Sequence, residues 1–539
     1  MSALDDPIEL QVIVGALRAA CEEMGATLVR SAHSANIKER RDASTALFDP
    51  GGEMVMQAEH IPVHLGSMPA AVNAVLGREQ CPGVSWVLND PFAGGTHLPD
   101  ITVITPVFAS PTVRTSSPGE PLDARSEDSE HTDCGPLIGF AASRAHHADV
   151  GGRVPGSMPA DSRTLEEEGV VIAPRVLDAA AIEELVAQMR NPEERRADLR
   201  AQLAANHTGV LRLVELAERV GVGRLEAAMD GVLDYAERRT RACIAALPDG
   251  VHEAEDVLEA PEGDLVLRLK ATVEGERLVL DFTGSAGRHE GNLNCPLAVT
   301  LSACWFAVRV LTDPDIPPSA GAYRPVETIV PEGCLLNAQP PSGFEDPAPA
   351  VAAGNVETSS RVADLVLAAF GRALGQGTMN NLTLGNDDFT YYETLGGGQG
   401  ACPEGDGPSG VHVAMSNTLN TPIEALEREL PVLVTEYSLR RGSGGAGRHR
   451  GGEGVVRELQ ALTDMTFSLI AERRRHAPPG AHGGEPGARG RDTLVGGDDR
   501  PRGLPAKVTG TLHAGERLRI ETPGGGGYGP ASERHDAPA

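Results

Sequence analysis

The chain has 539 residues, of which 40% are hydrophobic and 23% charged, and its formal net charge at pH 7 is -29. This length exceeds a single ordinary hydrophobic core, and the composition is too apolar for a disordered chain, so we expect several packed domains. The strong negative charge argues against nucleic acid and anionic membranes as partners, because both attract clusters of Lys and Arg.

The positions of the cysteines and lysines argue against several further kinds of site. The eight cysteines contain no CxxC pair, which argues against a zinc knuckle or a disulfide framework and favours reduced thiols. The first residues, MSALDDPIEL, lack the basic segment and apolar core of a signal peptide, and no run approaches the roughly 20 apolar residues of a membrane span. We therefore expect a cytoplasmic protein. None of the three lysines lies in a GxxxxGK[ST] phosphate loop.

Helical and strand-like patterns alternate in the first part of the chain. Apolar residues recur at three- and four-residue spacing from Pro7 to about Ser31, which predicts a helix with one buried face. FDPGGEMVMQAEH predicts two short strands around a turn, and SMPAAVNAVLG predicts a second helix. Strand composition follows in VSWVL, in ITVITPVF and, from Leu137, in LIGFAAS.

The rest of the chain mixes both kinds of element. Residues 109–136 are rich in Ser, Pro and acidic residues, so we expect a mobile acidic insertion there. Two helices are predicted from Pro192 to Leu247, a hairpin in DLVLRLKATV-EGE-RLVLDFTG, and further helices in PLAVTLSACWFAVRVL and TSSRVADLVLAAFGRAL. Tight turns are expected at the glycine runs 396–400 and 442–447, with phosphate binding through backbone N–H groups as the weaker alternative.

These patterns predict an α+β fold, a large mixed multidomain chain with a metal-site β-hairpin in its N-terminal part. The predicted units are an N-terminal α/β region over 1–175, a helical region over 176–250, a mixed α/β core over 251–475, and a Gly- and Pro-rich C-terminal segment over 476–539 that is ordered only in part. No linker divides the chain cleanly, so the limits are approximate.

The segment GGTHLPD, which contains His97 and Asp100, raises the first functional hypothesis. If the strands on either side of the acidic insertion pair antiparallel, the segment RAHHADVGG returns beside the start of the first strand. His146, His147 and Asp149 would then lie next to His97 and Asp100. Two or more imidazoles with at least one carboxylate form a ligand set for divalent manganese, iron or zinc.

The glycines of the two segments, Gly94, Gly95, Gly151 and Gly152, would let backbone and ligand approach closely. The alternative is that the polar residues cap turns at the strand ends, with His97 hydrogen-bonded inside a polar loop. Spacing alone leaves both interpretations open.

Two nearby motifs offer further polar side chains. EHIPVHLG places His60 and His64 four residues apart, but the proline between them opposes the helix of a zinc-protease motif, so structural histidines or pocket lining are the better interpretation. KERRDAS could bring Arg40, Arg41 and Asp42 to an anionic substrate, although a structural ion-pair network is the commoner role. We name Arg41, Asp42 and His64 as candidate substrate-binding residues.

Eight motifs follow one another along nearly the whole chain: ANIKERRDAS, EHIPVHLGSMP, NDPFAGGTHLPD, RAHHADVGGRVPGSMP, DLRAQLAAN, SNTLNTPIEALE, SGGAGRHRGGEG and TPGGGGYG. In this order they strongly resemble the hydantoinase B / oxoprolinase family. That family includes the B-type subunits of ATP-dependent N-methylhydantoinases, the C-terminal half of 5-oxoprolinase and the related large subunit of acetone carboxylase. Several long motifs in one order are more specific than any single short one.

The resemblance implies a ligand set. In the acetone carboxylase relative, the corresponding HxxD motif and the first histidine of the His-His pair ligate manganese, which implicates His97, Asp100 and His146 as metal ligands, with iron or zinc as the alternative ions. His147 and Asp149 become candidate catalytic residues that orient a ligand or move a proton. The alternative is that both satisfy the local backbone. The insertion departs from the family pattern and leaves any interface formed there in doubt.

Family members work with an actin-like ATPase, on a second polypeptide or a fused half. The resemblance therefore implies a hydantoinase A-type ATPase partner that holds ATP, with or without a small third subunit. The expected reaction is the ATP-dependent opening of a cyclic amide such as a hydantoin or 5-oxoproline. Two alternatives stay open: the large subunit of an ATP-dependent ketone carboxylase of the acetone or acetophenone type, and a non-catalytic scaffold for the ATPase.

Overall fold

The computed structural model describes residues 7–58, 61–109, 135–340, 347–496 and 500–534. His60 and nearly all of the insertion predicted over 109–136 lie outside these described residues. Within them the chain forms nine α-helices and nineteen β-strands, and all nineteen strands pair into four sheets.

The α-helices are α1 Pro7–Ser31, α2 Ala35–Lys38, α3 Ser67–Leu76, α4 Ala179–Val186, α5 Pro192–Val220, α6 Val222–Ile244, α7 Leu297–Leu311, α8 Ser359–Ala369 and α9 Ile423–Glu429. None of these described helices has both the length and the apolar character that a membrane crossing requires.

The first ten strands are β1 Ala43–Phe48, β2 Met54–Ala58, β3 Trp86–Leu88, β4 Asp100–Phe108, β5 Leu137–His146, β6 Arg175–Val176, β7 Gly250–Ala260, β8 Gly263–Glu274, β9 Arg277–Asp281 and β10 Val326–Ile329. The remaining nine are β11 Asn381–Gly385, β12 Thr390–Glu393, β13 Val432–Arg440, β14 Gly454–Ala461, β15 Met465–Ile470, β16 Arg491–Val495, β17 Pro501–Leu504, β18 Lys507–Leu512 and β19 Arg517–Glu521.

The first sheet contains the predicted hairpin. Its six strands lie in the order β2-β1-β5-β4-β3-β6, and every neighbouring pair is antiparallel. Helices α1 and α5 pack on one face and α3 packs on the other. Side chains alternate between the faces along β5, so Ala141 lies in the core beneath α5 and Ala142 in the core beneath α3. This alternation decides which residues at the end of β5 can share a site.

Most of the predicted elements are confirmed. The helices α1, α3, α5 and α6 lie where the apolar spacing predicts them, β1 and β2 pair around a turn, and β8 and β9 form a hairpin. Helix α7 is largely buried, but Leu297 and Val310 are exposed. The predicted core helix therefore has one solvent-facing edge.

The other three sheets come from residues 250–521. The sheet β10-β9-β8-β7 packs against α7 and α8 around the largest apolar core. The sheets β12-β11-β15-β18 and β13-β14-β19-β16-β17 share a further apolar core. Strands from both sides of residue 475 pair within each of these last two sheets, so the C-terminal segment predicted over 476–539 completes them. The predicted domain limits stay predictions.

The run 396–400 forms closely packed backbone without the predicted turn. The run 442–447 begins in a predicted tight turn, in which Ser443 N–H bonds to Arg440 O at 3.2 Å and Gly442 has a φ of 78°, and then continues as closely packed backbone. Four segments lie side by side, 396–400, 443–452, 479–487 and 523–529. Backbone hydrogen bonds link them, such as Gly452 N–H to Gln399 O at 2.8 Å and Gly525 N–H to Gly452 O at 2.9 Å. A Cβ on Gly451 would overlap the carbonyl oxygen of Gly525. Close approach of neighbouring chains therefore accounts for these glycines.

We expect Gly451→Ala to lower the free energy of unfolding by about 3 kcal/mol, because the added methyl group forces backbone segments apart. Gly405→Ala is the matched control, since nothing lies within 4 Å of a Cβ at that position. Thermal and urea unfolding of both variants check the prediction. Equal stability of the two variants would show that the segments are not packed in this way.

Candidate functional site

The hairpin brings three ligand-type side chains together. Strands β4 and β5 pair so that Asp100 lies directly opposite His146, and His97 precedes β4 by three residues. His97 Nε2 and His146 Nδ1 each lie 3.1 Å from Asp100 Oδ1 and 3.2 Å from each other. Each of the three residues is only 1% exposed. The juxtaposition predicted from the hairpin is confirmed for this triad.

The triangle of ligand atoms has the size of one face of a coordination sphere. Bonds of about 2.1 Å place neighbouring ligands about 3 Å apart at right angles and about 3.4 Å apart at the tetrahedral angle. Two imidazoles and one carboxylate on one face leave positions open for water or substrate, as in two-histidine, one-carboxylate iron sites. The three side chains therefore fit a divalent ion.

Neighbouring polar groups fix the Asp100 carboxylate. Thr96 Oγ1 donates a hydrogen bond to Asp100 Oδ2 at 2.5 Å, which leaves Oδ1 to the two histidines. His64 Nε2 lies 3.6 Å from the same Oδ2, and its Nδ1 lies 3.0 Å from Ser44 Oγ on β1. Such outer contacts orient a carboxylate ligand before an ion arrives.

The electrostatics favour the metal-binding forms of Asp100 and His146 at neutral pH. Burial alone would raise the pKa of Asp100, but the His97 charge and hydrogen bonds from His146, His64 and His97 hold that pKa well below its usual range. Burial also lowers the pKa of His146, against the opposing effect of Asp100. An ionised carboxylate and a neutral imidazole are the forms that bind metal.

Arg144 holds the surroundings of the triad together. It lies two residues before His146 on the same face of β5, and it is fully buried. Its guanidinium donates hydrogen bonds to Thr102 Oγ1 at 2.7 Å, to Gly94 O at 2.8 Å and to Ser67 Oγ. Burial lowers the pKa of Arg144 to about 10, so it stays charged at neutral pH. One cation thus joins both strands, the glycine loop and the first turn of α3.

The glycines beside the triad let neighbouring backbone approach closely, as predicted. Their contacts are with backbone, where a ligand was also expected. Gly94 has a φ of 96°, and a Cβ there would overlap the backbone of Ala70. A Cβ on Gly95 would overlap the carbonyl oxygen of Asn89. Gly151 and Gly152 likewise meet backbone carbonyl oxygens, of Gln188 and Glu168.

The triad lines a small cavity whose second wall comes from residues 355–418. The space open to the centre of a water-sized molecule is ≈ 20 Å³, about what one water molecule or one ion occupies. The second wall includes Asn355, Met379, Tyr392, Thr394, Met415 and Ser416. The sequence predictions missed this wall. A usable signal was the polar run in AAGNVETSS at the start of an otherwise apolar helix.

Tyr392 joins the two walls. Its ring stacks on the His146 ring with centroids 4.1 Å apart, and the Arg40 guanidinium lies 4.7 Å from the Tyr392 ring centroid. Arg40 donates hydrogen bonds to Tyr392 O at 2.8 Å and to the hydroxyls of Thr394 and Thr418 at 3.0 Å. Neutral oxygens thus hold Arg40 in a structural role, where an ion-pair network was expected.

The predicted substrate-binding residues fall into two groups. Asp42 and His64 line the cavity, and the carbonyl of Asp42 accepts the backbone N–H of His146 at 3.0 Å. Arg41 is exposed, has a φ of 56° and does not line the cavity. The geometry supports Asp42 and His64 as cavity residues and places Arg41 at the surface.

His147, a predicted catalytic residue, faces away from the cavity. It follows His146 directly, so the alternation along the strand turns its side chain toward α5. There its Nε2 lies 3.0 Å from Gln202 Oε1. Burial lowers the pKa of His147 to about 4. The side chain is a neutral part of the interface between sheet and helix.

Asp149, the second predicted catalytic residue, organises the loop after β5. Its carboxylate accepts the backbone N–H groups of Gly151 at 2.7 Å and of Gly156 at 2.8 Å, and it pairs with Arg190 at 3.1 Å. These contacts match the alternative that Asp149 satisfies the local backbone.

Comparison with known proteins identifies the family. A family model described as Hydantoinase B/oxoprolinase matches residues 6–531. The chain belongs to this family. It is 40% identical to 5-oxoprolinase 1 of Arabidopsis thaliana over 97% of its own length and 42% of that relative. The 5-oxoprolinase of Dictyostelium discoideum is 37% identical, with 40% of its length covered. The chain therefore spans about two fifths of these relatives.

Other relatives match along most of their length. A protein of Pseudomonas sp. (strain NS671), named as the putative B-type subunit of a D-/L-hydantoinase, is 29% identical over 98% of this chain and 91% of its own. The crystal structure of an ATP-dependent caprolactamase from Pseudomonas jessenii has a TM-score of 0.85 at 28% identity, covering 98% and 92% of the two chains. Acetone carboxylase shares the fold, with a TM-score of 0.83 at 19% identity and coverage of 98% and 76%. The predicted resemblance is confirmed.

We expect the purified chain to bind one divalent ion, and His97→Ala or Asp100→Ala to weaken binding by more than about 100-fold, because each removes a direct ligand. His147→Ala should keep the ion, since that side chain faces α5. Elemental analysis after incubation with manganese and dialysis measures the metal content. An unchanged content in His97→Ala would rule out the triad as the binding site.

We expect the metal content to stay constant as the pH falls from 8 to about 6.5, the ordinary pKa of histidine. At pH values below about 6, the metal content should decrease. Protons compete with the metal for His146, and the lowered pKa of His146 shifts that competition to more acidic pH. Asp100 stays ionised throughout this range because its pKa is held well below its usual range. Half-loss of metal near pH 7 in a dialysis series would contradict this ordering.

Proposed function

We propose that this chain is the B-type subunit of an ATP-dependent cyclic-amide hydrolase that opens a hydantoin or 5-oxoproline ring together with a hydantoinase A-type ATPase. The observation that carries the proposal is the buried triad of His97, Asp100 and His146 at a cavity, in a chain of the hydantoinase B/oxoprolinase family. Manganese is the proposed ion, with iron and zinc as the alternatives for this ligand set.

A divalent ion held by the triad would polarise a carbonyl oxygen or lower the pKa of a water molecule. Other residues of the chain hold the triad in place and cover the cavity. His64 and Thr96 hold the far oxygen of Asp100, and Arg144 fixes the loop before β4. Tyr392 covers the His146 ring and excludes water from that side. A cavity shielded in this way favours reaction at one position.

The need for ATP follows from the chemistry of the substrate. A ring amide is a poor electrophile, and phosphoryl transfer to its oxygen makes the ring carbon reactive and supplies a leaving group. In the net reaction, the ring amide, ATP and two water molecules become the open-chain amino acid, ADP and phosphate. The chain lacks a lysine phosphate loop, and its relative in Pseudomonas is named as one subunit of a hydantoinase. These observations support an ATPase partner that binds the nucleotide.

One stretch of the cavity wall stands between the cavity and solvent. The space open to the centre of a water-sized molecule is only ≈ 20 Å³, so the cavity is narrow for a ring. Ser416 and Thr418 line the cavity, whereas Asn417 between them is exposed, so this stretch separates the cavity from solvent. Ala414, just before it, has a φ of 51°, which is a strained conformation for a residue with a side chain. We propose that this stretch is displaced when the substrate binds.

The complex of this chain with its ATPase partner, supplied with ATP and manganese, should release phosphate in step with ring opening of at least one member of a panel of hydantoins and 5-oxoproline. Asp100→Asn should reduce kcat by about 100-fold or more, because the variant leaves the ion without its charged ligand. Asn386→Ala, a surface-turn variant, should behave as the wild type.

Three other results of this experiment would replace the proposal. Incorporation of labelled bicarbonate into acetone or acetophenone would assign a ketone carboxylase. Full activity of Asp100→Asn in an assembled complex would leave the chain a scaffold. Phosphate release without ring opening across the panel would also refute the hydrolase.

A further inference from the structure

We propose that Asn355 is a substrate-positioning residue that binds the N–H and C=O groups of a cis amide at the metal cavity. The inference rests on the proposed function and deepens it, because it assigns the part of the substrate that the chain recognises. Asn355 lines the same cavity as the triad and is 3% exposed.

An unusual helical turn places Asn355 there. Residues Gly354–Thr358 form a π-helical turn that runs directly into α8. A π turn inserts one extra residue into the helix and turns the side chains before and after it toward different directions, and such turns occur often at functional sites. All five residues of the turn are buried. The chain adopts an uncommon helical geometry at the point where the helix meets the cavity.

The turn is held rigidly from outside. The buried carboxylate of Glu168 accepts the backbone N–H groups of Val351 at 3.1 Å and of Ala352 at 3.0 Å, immediately before the turn. Gly354 packs so closely on the backbone of Asn294 that a Cβ would overlap its carbonyl oxygen. The backbone of Asn355 is therefore fixed before any ligand arrives, which favours precise positioning.

The Asn355 side chain has an open hydrogen-bonding position. Its Oδ1 is buried, and no hydrogen-bond partner for it occurs in the described part of the chain. An amide oxygen buried without a partner costs roughly 1–3 kcal/mol, and such groups in native structures call for an explanation. A ligand that donates an N–H group to Oδ1 would remove this cost.

The chemistry of a primary amide matches that of a ring amide. Asn carries an acceptor oxygen and a donor NH₂ side by side. In a ring amide the N–H and C=O groups lie cis and point to the same side, so the two amides can form a pair of parallel hydrogen bonds. A ketone offers the oxygen alone. Asn355 is the one carboxamide among the described residues that line the cavity, and it therefore favours a cyclic amide over a ketone.

The neighbouring lining residues limit other roles for Asn355. Val356 and Met379 beside it are apolar, and Thr394 and Ser416 offer hydroxyl groups. The triad atoms that face each other are Nε2 of His97, Nδ1 of His146 and Oδ1 of Asp100, and Asn355 Oδ1 shares no hydrogen bond with them in the described structure. Its Oδ1 is therefore available to a substrate while the triad binds an ion.

The test compares a lactam substrate with the lactone of the same ring, which replaces N–H by oxygen and adds no bulk. In the wild-type complex with its ATPase, the lactone should bind as a competitor about 10- to 100-fold more weakly than the lactam, because Oδ1 then faces a second acceptor. In Asn355→Ala, lactam binding should weaken by about 10-fold or more, and the two ligands should differ by less than about 3-fold. Asn386→Ala is the matched asparagine control.

The outcomes separate this inference from the proposed function. If the wild-type complex opens lactams but binds the lactone equally well, Asn355 does not recognise N–H, and the hydrolase assignment stands. Undiminished discrimination in Asn355→Ala would overturn the inference in the same way. If no ring amide is opened, both the inference about Asn355 and the proposed hydrolase function are refuted. If Asn355→Ala does not fold, as judged by thermal unfolding and metal content, Asn355→Ser replaces it, and the wild-type ratio alone can still refute the proposal.

Discussion

The antiparallel register of β4 and β5 is the constraint on which the site depends. It sets Asp100 directly opposite His146. A shift of one residue in this register would turn either Asp100 or His146 to the opposite face of the sheet. The triad would then be separated. The next pair on the same face, Thr102 and Arg144, is joined by a hydrogen bond of 2.7 Å. A buried cation therefore secures the register close to the point where the ligands meet.

Charge balance explains why so polar a cluster is stable when buried. A carboxylate in the interior is costly unless it is paired or hydrogen-bonded. Asp100 has histidines on one oxygen and a hydroxyl on the other, and these contacts hold its pKa well below its usual range in spite of burial. The second nitrogens of His97 and His146, Nδ1 and Nε2, have no hydrogen-bond partner within the described residues. The ionised Asp100 is thus arranged for an ion, while one nitrogen on each of His97 and His146 has no hydrogen-bond partner within the described residues.

The sequence predicted one wall of the site because that wall is local. Two strand-like segments separated by an insertion imply a hairpin, and a hairpin brings its two ends together. Successive side chains of a strand point to opposite faces of the sheet, so the sequence could also have shown that His147 does not share the site with His146. The role of Asp149 depends on a loop whose path no periodicity encodes. Glycines in a polar segment suggest space for a ligand, yet Gly94 and Gly95 make room for neighbouring backbone.

The second wall could not be predicted in this way because it depends on tertiary packing between segments about 250 residues apart. Tyr392 stacks on His146, and Arg40 binds the carbonyl of Tyr392 and two nearby hydroxyls. Asn355 reaches the cavity only because a π turn interrupts the helix, and no simple 3.6-residue pattern reveals such a turn. The triad and the cavity residues Asp42 and His64 therefore belong to the N-terminal part of the chain, whereas the second wall belongs to a distant part. If the triad binds an ion as proposed, changes in the second wall could alter the substrate without disturbing the register of β4 and β5.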